Sequence, residues 1–417
     1  MSEATKPRVP AVAGATVALV LLTGMNLVNY LDRYILPAVQ EQVKGEFHIS
    51  DAQIGALTFW FMIAYMGVSP LTGWLGDRFS RKPMIIVAAL AIATMNFLTA
   101  SVHDYASLNF RHAALGVGEA CFGVFAPAVL ADFYAGADRN RVLTIFNIAI
   151  PVGAALGYTA GGYIGEHHGW RESFIASAIP GAIIAILIWI FMREPKRGER
   201  EAKKPADKNT IVGLLTNKAY LGSVLGYAFV TFSLGGMSWW IASFLQRVDG
   251  YSAAQAGSIM GPILAVGGLA GTITGGVIAQ KWSKKTERAM YYVPALSAAL
   301  AVAPALLCFL GPKSTTIPAL ACAIFLIFLG TGPVNAATLN AVGPNVRAAA
   351  MAGQLLIIHL LGDLISPPLI GVISDHSNLR IALSTTLIAL LLAAVIFFIG
   401  SRYAPKLTST VEAAAAA

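Results

Sequence analysis

The chain has 417 residues, of which 56% are hydrophobic and only 12% charged, with a formal net charge of +8. A soluble domain carries roughly 25% charged residues, so this composition leaves too little solvated surface for a globular protein in water. The basic excess lies between apolar blocks rather than in one patch, which argues against a nucleic-acid surface, and strand-like alternation is absent, which argues against a β-barrel.

From the N-terminus, the first ten residues, MSEATKPRVP, are short and polar, and the apolar stretch that follows exceeds the length of a cleavable signal segment. It reads as a first spanning helix. Apolar blocks of about 20 residues, the length needed to cross roughly 30 Å of hydrocarbon, then recur along the chain. They predict helices at about 12–38, 51–76, 83–102, 105–133, 140–166, 171–192, 218–245, 252–280, 289–311, 317–341, 347–373 and 379–402. The expected organisation is an N-terminal tail (1–11), a six-helix bundle (12–192), a charged linker (193–217), a second six-helix bundle (218–402) and a tail (403–417). The fold class is therefore all-α membrane protein. Cys121, Cys308 and Cys322 fall inside apolar blocks and read as packing residues, with neither disulfide nor metal implied.

Lys and Arg set the orientation. With both termini on the cytoplasmic side, 22 of them fall in cytoplasmic segments and 5 in outer loops, with Arg33 and Arg111 inside spans. By the positive-inside rule both termini of a multi-pass membrane protein are expected in the cytoplasm.

The two halves repeat. Ser50-Asp51-Ala52-Gln53-Ile54-Gly55 matches Ser252-Ala253-Ala254-Gln255-Ala256-Gly257, GWLGDRFSRK (73–82) aligns with GVIAQKWSKK (276–285), and Arg141 to Gly165 overlies Arg347 to Gly371. Two homologous halves imply a pseudo-twofold axis along the membrane normal and a central cavity, a geometry suited to alternating access.

Gly73, Gly76, Asp77, Arg78, Arg81 and Lys82 form a segment that resembles the loop between helices 2 and 3 of major facilitator proteins. The resemblance implies a latch holding the outward-facing state, with Asp77 at a helix end; a plain basic topogenic loop is the alternative. Gln280 replaces Asp77 in the second copy, so the latch is expected on one side only. In helix 5, Gly153, Gly157 and Gly161 give a flat face for close helix packing.

Ionisable residues inside spans cost several kcal/mol near mid-bilayer unless paired or hydrated, about 2.5–3.5 kcal/mol on insertion scales. Helix 1 carries Asp32 and Arg33, helix 4 Arg111 and Glu119, and helix 11 His359 and Asp363, four apart on one face. Asp32 and Arg33 either neutralise one another or line a cavity. Glu119 lies about 21 Å along helix 4 at 1.5 Å per residue, near the midplane, and is expected to carry protons. Arg111 either snorkels outward or pairs with Asp32 and binds an anionic head group. Arg33, His359, Asp363 and Tyr65 complete the expected substrate contacts, His359 alternatively being a satisfied core histidine. Phe59, Trp60, Phe61, Tyr65, Trp239 and Trp240 either line an apolar cavity or serve as packing and interface anchors.

The stretches NYLDRYIL in helix 1, RHAALGVGEACFGVFAPAVLADFY (111–134) and RNRVLTIFNIAIPVGAALGYTAGGYIG (139–165) resemble the Spinster family of lipid transporters, as a bacterial member, with the match concentrated in residues 24–172. The resemblance implies the major facilitator fold and proton-linked export or exchange of lysolipids or sphingosine phosphate. It implies substrate binding and coupling by Asp32, Arg111 and Glu119. Helix 1 is also similar to that of facilitators of organic anions and sugar acids, which remain the alternative solutes. No enzyme is expected: the chain lacks a GxxxxGK[ST] loop, Gly116-Val117-Gly118 has no strand before it, and no metal-ligand spacing occurs. The expected partners are the lipid bilayer, protons and an amphiphilic small molecule, without nucleic acid or cofactor, in a monomeric protein.

Overall fold

The structure is a computed structural model that describes residues 14–134, 136–195 and 213–405. The expected tail 1–11, most of the linker and the terminal alanine run lie outside the described residues. Among the described residues twelve helices are long and apolar enough to cross a membrane: α1 Ala15–Phe47, α2 Asp51–Arg78, α3 Arg81–Thr99, α4 Tyr105–Phe133, α5 Asp138–His168 and α6 Trp170–Phe191, then α7 Lys218–Arg247, α8 Ala253–Ser283, α9 Ala289–Leu310, α10 Lys313–Asn340, α11 Ala349–His376 and α12 Leu379–Tyr403. Their outward surfaces expose Leu, Ile, Val and Phe in quantity, including Val87, Phe110, Val266 and Ile273. That surface is unfavourable in water and natural against lipid.

The helices form two six-helix bundles, α1–α6 and α7–α12. In the first, α5 lies along α1. A side-chain carbon placed on Gly153 would stand 2.4 Å from the Leu27 carbonyl oxygen, and one on Gly157 2.3 Å from that of Leu31. Only glycine lets the two backbones approach so closely.

Helix α1 outruns its sequence-based end at residue 38 and continues to Phe47, where His48 closes it in the left-handed conformation at φ 51°. The polar run from Gln40 to Lys44 looked like a loop in the sequence. It stays helical because its side chains are bonded on both sides: Gln40 Nε2 donates to the Trp239 carbonyl at 3.0 Å and to Ser243 Oγ at 2.6 Å in the second bundle, and Gln42 Nε2 to the Gly165 carbonyl at 2.9 Å in the first.

The ends of the helices near the chain termini are called the terminal end and the opposite ends the distal end. At the distal end the bundles are sealed. α2 meets α11 and α5 meets α8 backbone to backbone: a carbon on Gly55 would sit 2.5 Å from the Pro367 carbonyl oxygen, and one on Gly257 2.2 Å from that of Tyr158. Arg247 of α7 bridges to Asp51 at 2.6 and 2.7 Å and to Glu41 at 2.5 Å, while Lys44 reaches Asp51 at 2.5 Å. Further along α2 towards the terminal end, carbons placed on Gly67 and Gly73 meet nothing within 4 Å, and the same holds for Gly276 of α8. The bundles converge distally, and a cavity lies between them at the level of Arg33 and Phe61.

Candidate functional site

A cavity of about 180 Å³ lies between the bundles, lined from the first by Arg33, Tyr34, Thr58, Phe61, Met62 and His112 and from the second by Thr231, Ser238, Trp239 and Asp363. Arg33, one turn before Pro37, reaches it from α1, Phe61 from α2 and Asp363 from α11.

The central contact joins Arg33 to Glu119. Arg33 Nε donates to Glu119 Oε2 at 2.9 Å, and its Nη2 donates to the same oxygen in a short contact. Glu119 is fully buried, and its other oxygen, Oε1, has no hydrogen-bond partner. The Arg33 guanidinium also lies 5.1 Å from the ring centres of both Tyr30 and Phe61 and 5.7 Å from that of Tyr65. A cation packed among aromatic faces keeps part of its charge compensated without a second anion. One side of the site is therefore a guanidinium held in an aromatic cage, with one carboxylate as its counter-ion.

The facing side belongs to α11. His359 Nδ1 and Asp363 Oδ2 are 2.8 Å apart, within a π-helical turn spanning His359–Asp363. The widened turn, a form that recurs at functional sites, carries Asp363 to the cavity wall. The Tyr65 and His359 rings approach across the bundle interface, with centres 6.4 Å apart.

Asp32, next to Arg33 in the chain, points elsewhere. Successive side chains on a helix diverge by about 100°; Asp32 is only 2% exposed, and Ser177 of α6 and Asn96 of α3 flank it. Neither of its oxygens makes a hydrogen bond of normal geometry. Asp32 and Arg33 do not neutralise one another, since the partner of Arg33 is Glu119.

Of the two readings of Arg111, the structure does not show the pairing with Asp32. Arg111 lies near the distal start of α4, where its Nη1 donates to Ser101 Oγ at 3.1 Å. Eight residues separate it from Glu119, about 12 Å along the helix at 1.5 Å per residue. It is not among the residues lining the cavity. Its neighbour His112 takes that place, buried between the rings of Phe61 at 5.3 Å and Trp239 at 6.3 Å. Sequence reasoning missed His112, and the signal was available: it lies seven residues before Glu119, two turns along the same face of α4.

Of the aromatics considered from sequence, Phe61 and Trp239 line the cavity. Trp60 is exposed on the outer surface, and Trp240 is core, its indole N–H donating to the Pro367 carbonyl at 2.9 Å.

The 73–82 segment sits at the terminal end of α2 and α3. Arg81 Nη1 donates to Asp132 of α4 at 2.5 Å and its Nε to the Gly76 carbonyl at 3.2 Å. Lys82 donates to the Trp189 carbonyl at 2.8 Å, and Arg78 stacks 4.3 Å from the Trp74 ring centre. Gly76 packs on Phe125, whereas Gly73 has open space beside it, so no helix approaches Gly73 in this conformation. These side-chain contacts of Arg81, Lys82 and Arg78 stay within the first bundle. Among the described residues no three His, Cys, Asp or Glu side chains converge to hold a metal.

Two helical bundles around a charged, aromatic-caged cavity are an arrangement suited to carrying a solute across a membrane. Residues 22–353 match the Major Facilitator Superfamily. The chain is 32% identical over 383 residues to protein spinster homolog 1 of Xenopus tropicalis, covering 86% of this chain and 72% of that protein. It is 30% identical over 391 residues to the sphingosine-1-phosphate transporter SPNS2 of Danio rerio, covering 88% and 77%. Among solved structures, an inward-facing, unoccupied bacterial homolog to the human lysosomal transporter Spinster superposes with a TM-score of 0.87, at 21% identity over 95% of this chain and 98% of that one. The nucleoside transporter NupG superposes at 0.73 and 13% identity, over 92% and 99%. The chain is a transporter of the Major Facilitator Superfamily, not an enzyme. Within that superfamily it belongs to the Spinster family.

Proposed function

We propose that the protein is a proton-coupled secondary transporter of a lipid-like amphiphile with an anionic head, of the lysolipid or sphingosine-phosphate type, working by alternating access. The observation that carries this reading is the Arg33–Glu119 pair in an aromatic-walled cavity. A carboxylate and a substrate anion compete for one guanidinium. A proton on Glu119 releases Arg33, and an anion on Arg33 frees Glu119 to take a proton, so the two ligands bind with positive linkage. Oε1, buried and without a partner, is the atom placed to receive the proton. Asp32 serves as a second proton site, and Tyr65, His359 and Asp363 as contacts on the far wall. The name of the SPNS2 relative, a sphingosine-1-phosphate transporter, supports the substrate class.

The orientation proposed is cytoplasmic for the terminal end, in the plasma membrane of a bacterium, supported by the 22 basic residues on that side against 5 distally. The conformation is then inward-facing. The 73–82 segment would act as a latch in the opposite state, when the terminal ends of the bundles meet. The protein is taken to work as a monomer.

A second reading is supported by size. The cavity, at about 180 Å³, falls below the roughly 300–1,000 Å³ of sites that engulf drug-sized ligands. It holds a head group, with the tail extending towards the terminal end, or a whole small organic anion. The test is uptake into proteoliposomes under an acid-outside gradient. Transport of lysolipid or sphingosine phosphate, lost in Arg33→Ala, supports the first reading. Transport of sugar acids with no response to either lipid replaces it with the second.

A further inference from the structure

The repeated motif of Ser50–Gly55 and Ser252–Gly257 marks more than an ancestral duplication. A helix begins with backbone N–H groups that have no partner within the helix. In α2 the Ser50 hydroxyl accepts from the Gln53 N–H at 3.3 Å, and the Gln53 side chain accepts from the Ser50 N–H at 2.9 Å. In α8 the same box forms: Gln255 N–H to Ser252 Oγ at 3.2 Å, and Ser252 N–H to Gln255 Oε1 at 3.0 Å. Each box satisfies two donors of its own helix. It leaves the donors at the first and second helical positions, and both of them in α2 and the second in α8 are taken up across the distal seam.

The opposite bundle supplies the acceptors. The Asp375 carboxylate, at the distal end of α11, accepts from the Asp51 N–H at 2.8 Å and the Ala52 N–H at 2.8 Å, one oxygen to each. Glu166, at the distal end of α5, accepts from the Ala254 N–H at 2.7 Å. The motif glycines, Gly55 and Gly257, sit one turn further in and let α11 and α5 come close enough for these bonds to form. Under the shift that lays Arg141 over Arg347, Glu166 falls opposite Val372 and Asp375 opposite Gly169. The two halves therefore place a carboxylate at the same spatial point from different sequence positions.

We infer that Asp375 and Glu166 are paired distal latches of the transport cycle, each a carboxylate of one bundle capping the open helix start of the other, and that their release accompanies distal opening. This rests on the alternating-access reading above. A carboxylate at a helix N-terminus is stabilised by both the orphan donors and the helix dipole. When the bundles part, these N–H groups turn to water and the carboxylates lose their donors together. Ser374, beside Asp375, adds a bond from its hydroxyl to Asp51 Oδ2 at 2.6 Å. The α2–α11 latch is thus tied to the Arg247–Asp51 bridge, and the α5–α8 latch lacks that reinforcement.

The test is a distance measurement across the distal face of the full chain in nanodiscs. Spin labels go at Gly45→Cys on α1 and Ser314→Cys on α10, with Cys121, Cys308 and Cys322 replaced. Measurements are made with and without sphingosine phosphate and at two pH values. The expected result is that Asp375→Asn and Glu166→Gln each raise the ratio of long to short distances by about two- to fivefold, the range an exposed carboxylate at a helix start contributes. Asp375→Glu, which keeps the charge, stays closer to the parent than Asp375→Asn does. If the parent switches with ligand or pH while both neutral variants keep its distribution, the latch assignment is wrong and alternating access stands. A single short distance in the parent and every variant under all conditions overturns both. Glu166→Gln decides the question alone if Asp375→Asn does not fold.

Discussion

Arg33 and Glu119, 86 residues apart in the chain, share one carboxylate oxygen: both guanidinium bonds fall on Oε2 and leave Oε1 bare. A structural ion pair would be expected to use both oxygens in the parallel fork that arginine favours. Here the guanidinium is divided between the carboxylate and an aromatic cage. The pair is held without being saturated, which suits a contact that is broken and remade in each cycle.

Replacing Glu119 with Gln tests the linkage. In the parent, binding of an anionic amphiphile should strengthen as pH falls, because a protonated Glu119 no longer competes for Arg33. In Glu119→Gln the affinity should approach the parent's low-pH value and lose most of the parent's dependence on pH. Proton-driven accumulation should be lost, while counterflow of labelled for unlabelled substrate continues. Tryptophan fluorescence or thermal-shift titrations at several pH values measure the first effect, and liposome uptake the second. A pH slope like the parent's would remove Glu119 from coupling.

Arg33 carries the complementary expectation. Arg33→Ala should lower affinity for the anionic substrate by at least roughly tenfold, since a charge-assisted hydrogen bond contributes about 1.5–3 kcal/mol. Arg33→Lys should recover charge but neither the fork nor the stacking on Tyr30 and Phe61, so a deficit remains. Removing the guanidinium also strands the Glu119 carboxylate in a buried setting. Thermal stability of Arg33→Ala should therefore improve on lowering the pH, whereas the parent shows no such gain. Equal affinity in all three proteins would assign Arg33 to structure alone.

The sequence made the architecture readable and the site only partly so, for separable physical reasons. Spanning helices announce themselves through local composition, and the repeat announces two bundles. Glu119 stood out because a carboxylate at mid-membrane needs a reason. Its partner was harder to find. Arg33 and Arg111 are both basic residues inside spans, and which one meets Glu119 depends on the rotation and depth of α1 against α4. The packing of α5 glycines on Leu27 and Leu31 turns Arg33 inward and Asp32 toward α3 and α6. His112 escaped notice because its role depends on Phe61 and Trp239 meeting from two other helices. Gln40 and Glu41 looked like the end of a helix because the residues that receive them belong to the second bundle.

Arg111 yields an expectation opposite to the one its charge first suggested. It bonds to Ser101 near the distal loop and is not part of the cavity wall. Arg111→Ala should leave substrate affinity within about twofold of the parent, the scale of an exposed polar contact, about 0.5 kcal/mol. His112→Ala should weaken binding through the cavity wall. Titrations of the two variants side by side decide between them; a large loss in Arg111→Ala with His112→Ala unchanged would place the anion site at the distal mouth of α4 instead.

Gly157 offers a test of the frame that aims Arg33. A side-chain carbon there would stand 2.3 Å from the Leu31 carbonyl oxygen and 2.9 Å from the Tyr34 Cβ. Neither is the free end of a flexible side chain, so Gly157→Val must push α5 off α1. Overpacking of this kind costs about 1–3 kcal/mol or more where backbone resists. The expected result is a clear fall in unfolding temperature in detergent. A shift of α1 by even about 1 Å would also misplace Arg33 relative to Glu119, so the surviving folded fraction should bind substrate more weakly. Gly67→Val makes the control: it adds a larger side chain to α2 where a placed carbon meets nothing within 4 Å, and both stability and binding should stay near the parent's. If Gly157→Val matches Gly67→Val in both measurements, the close approach of α5 to α1 is not what positions the site.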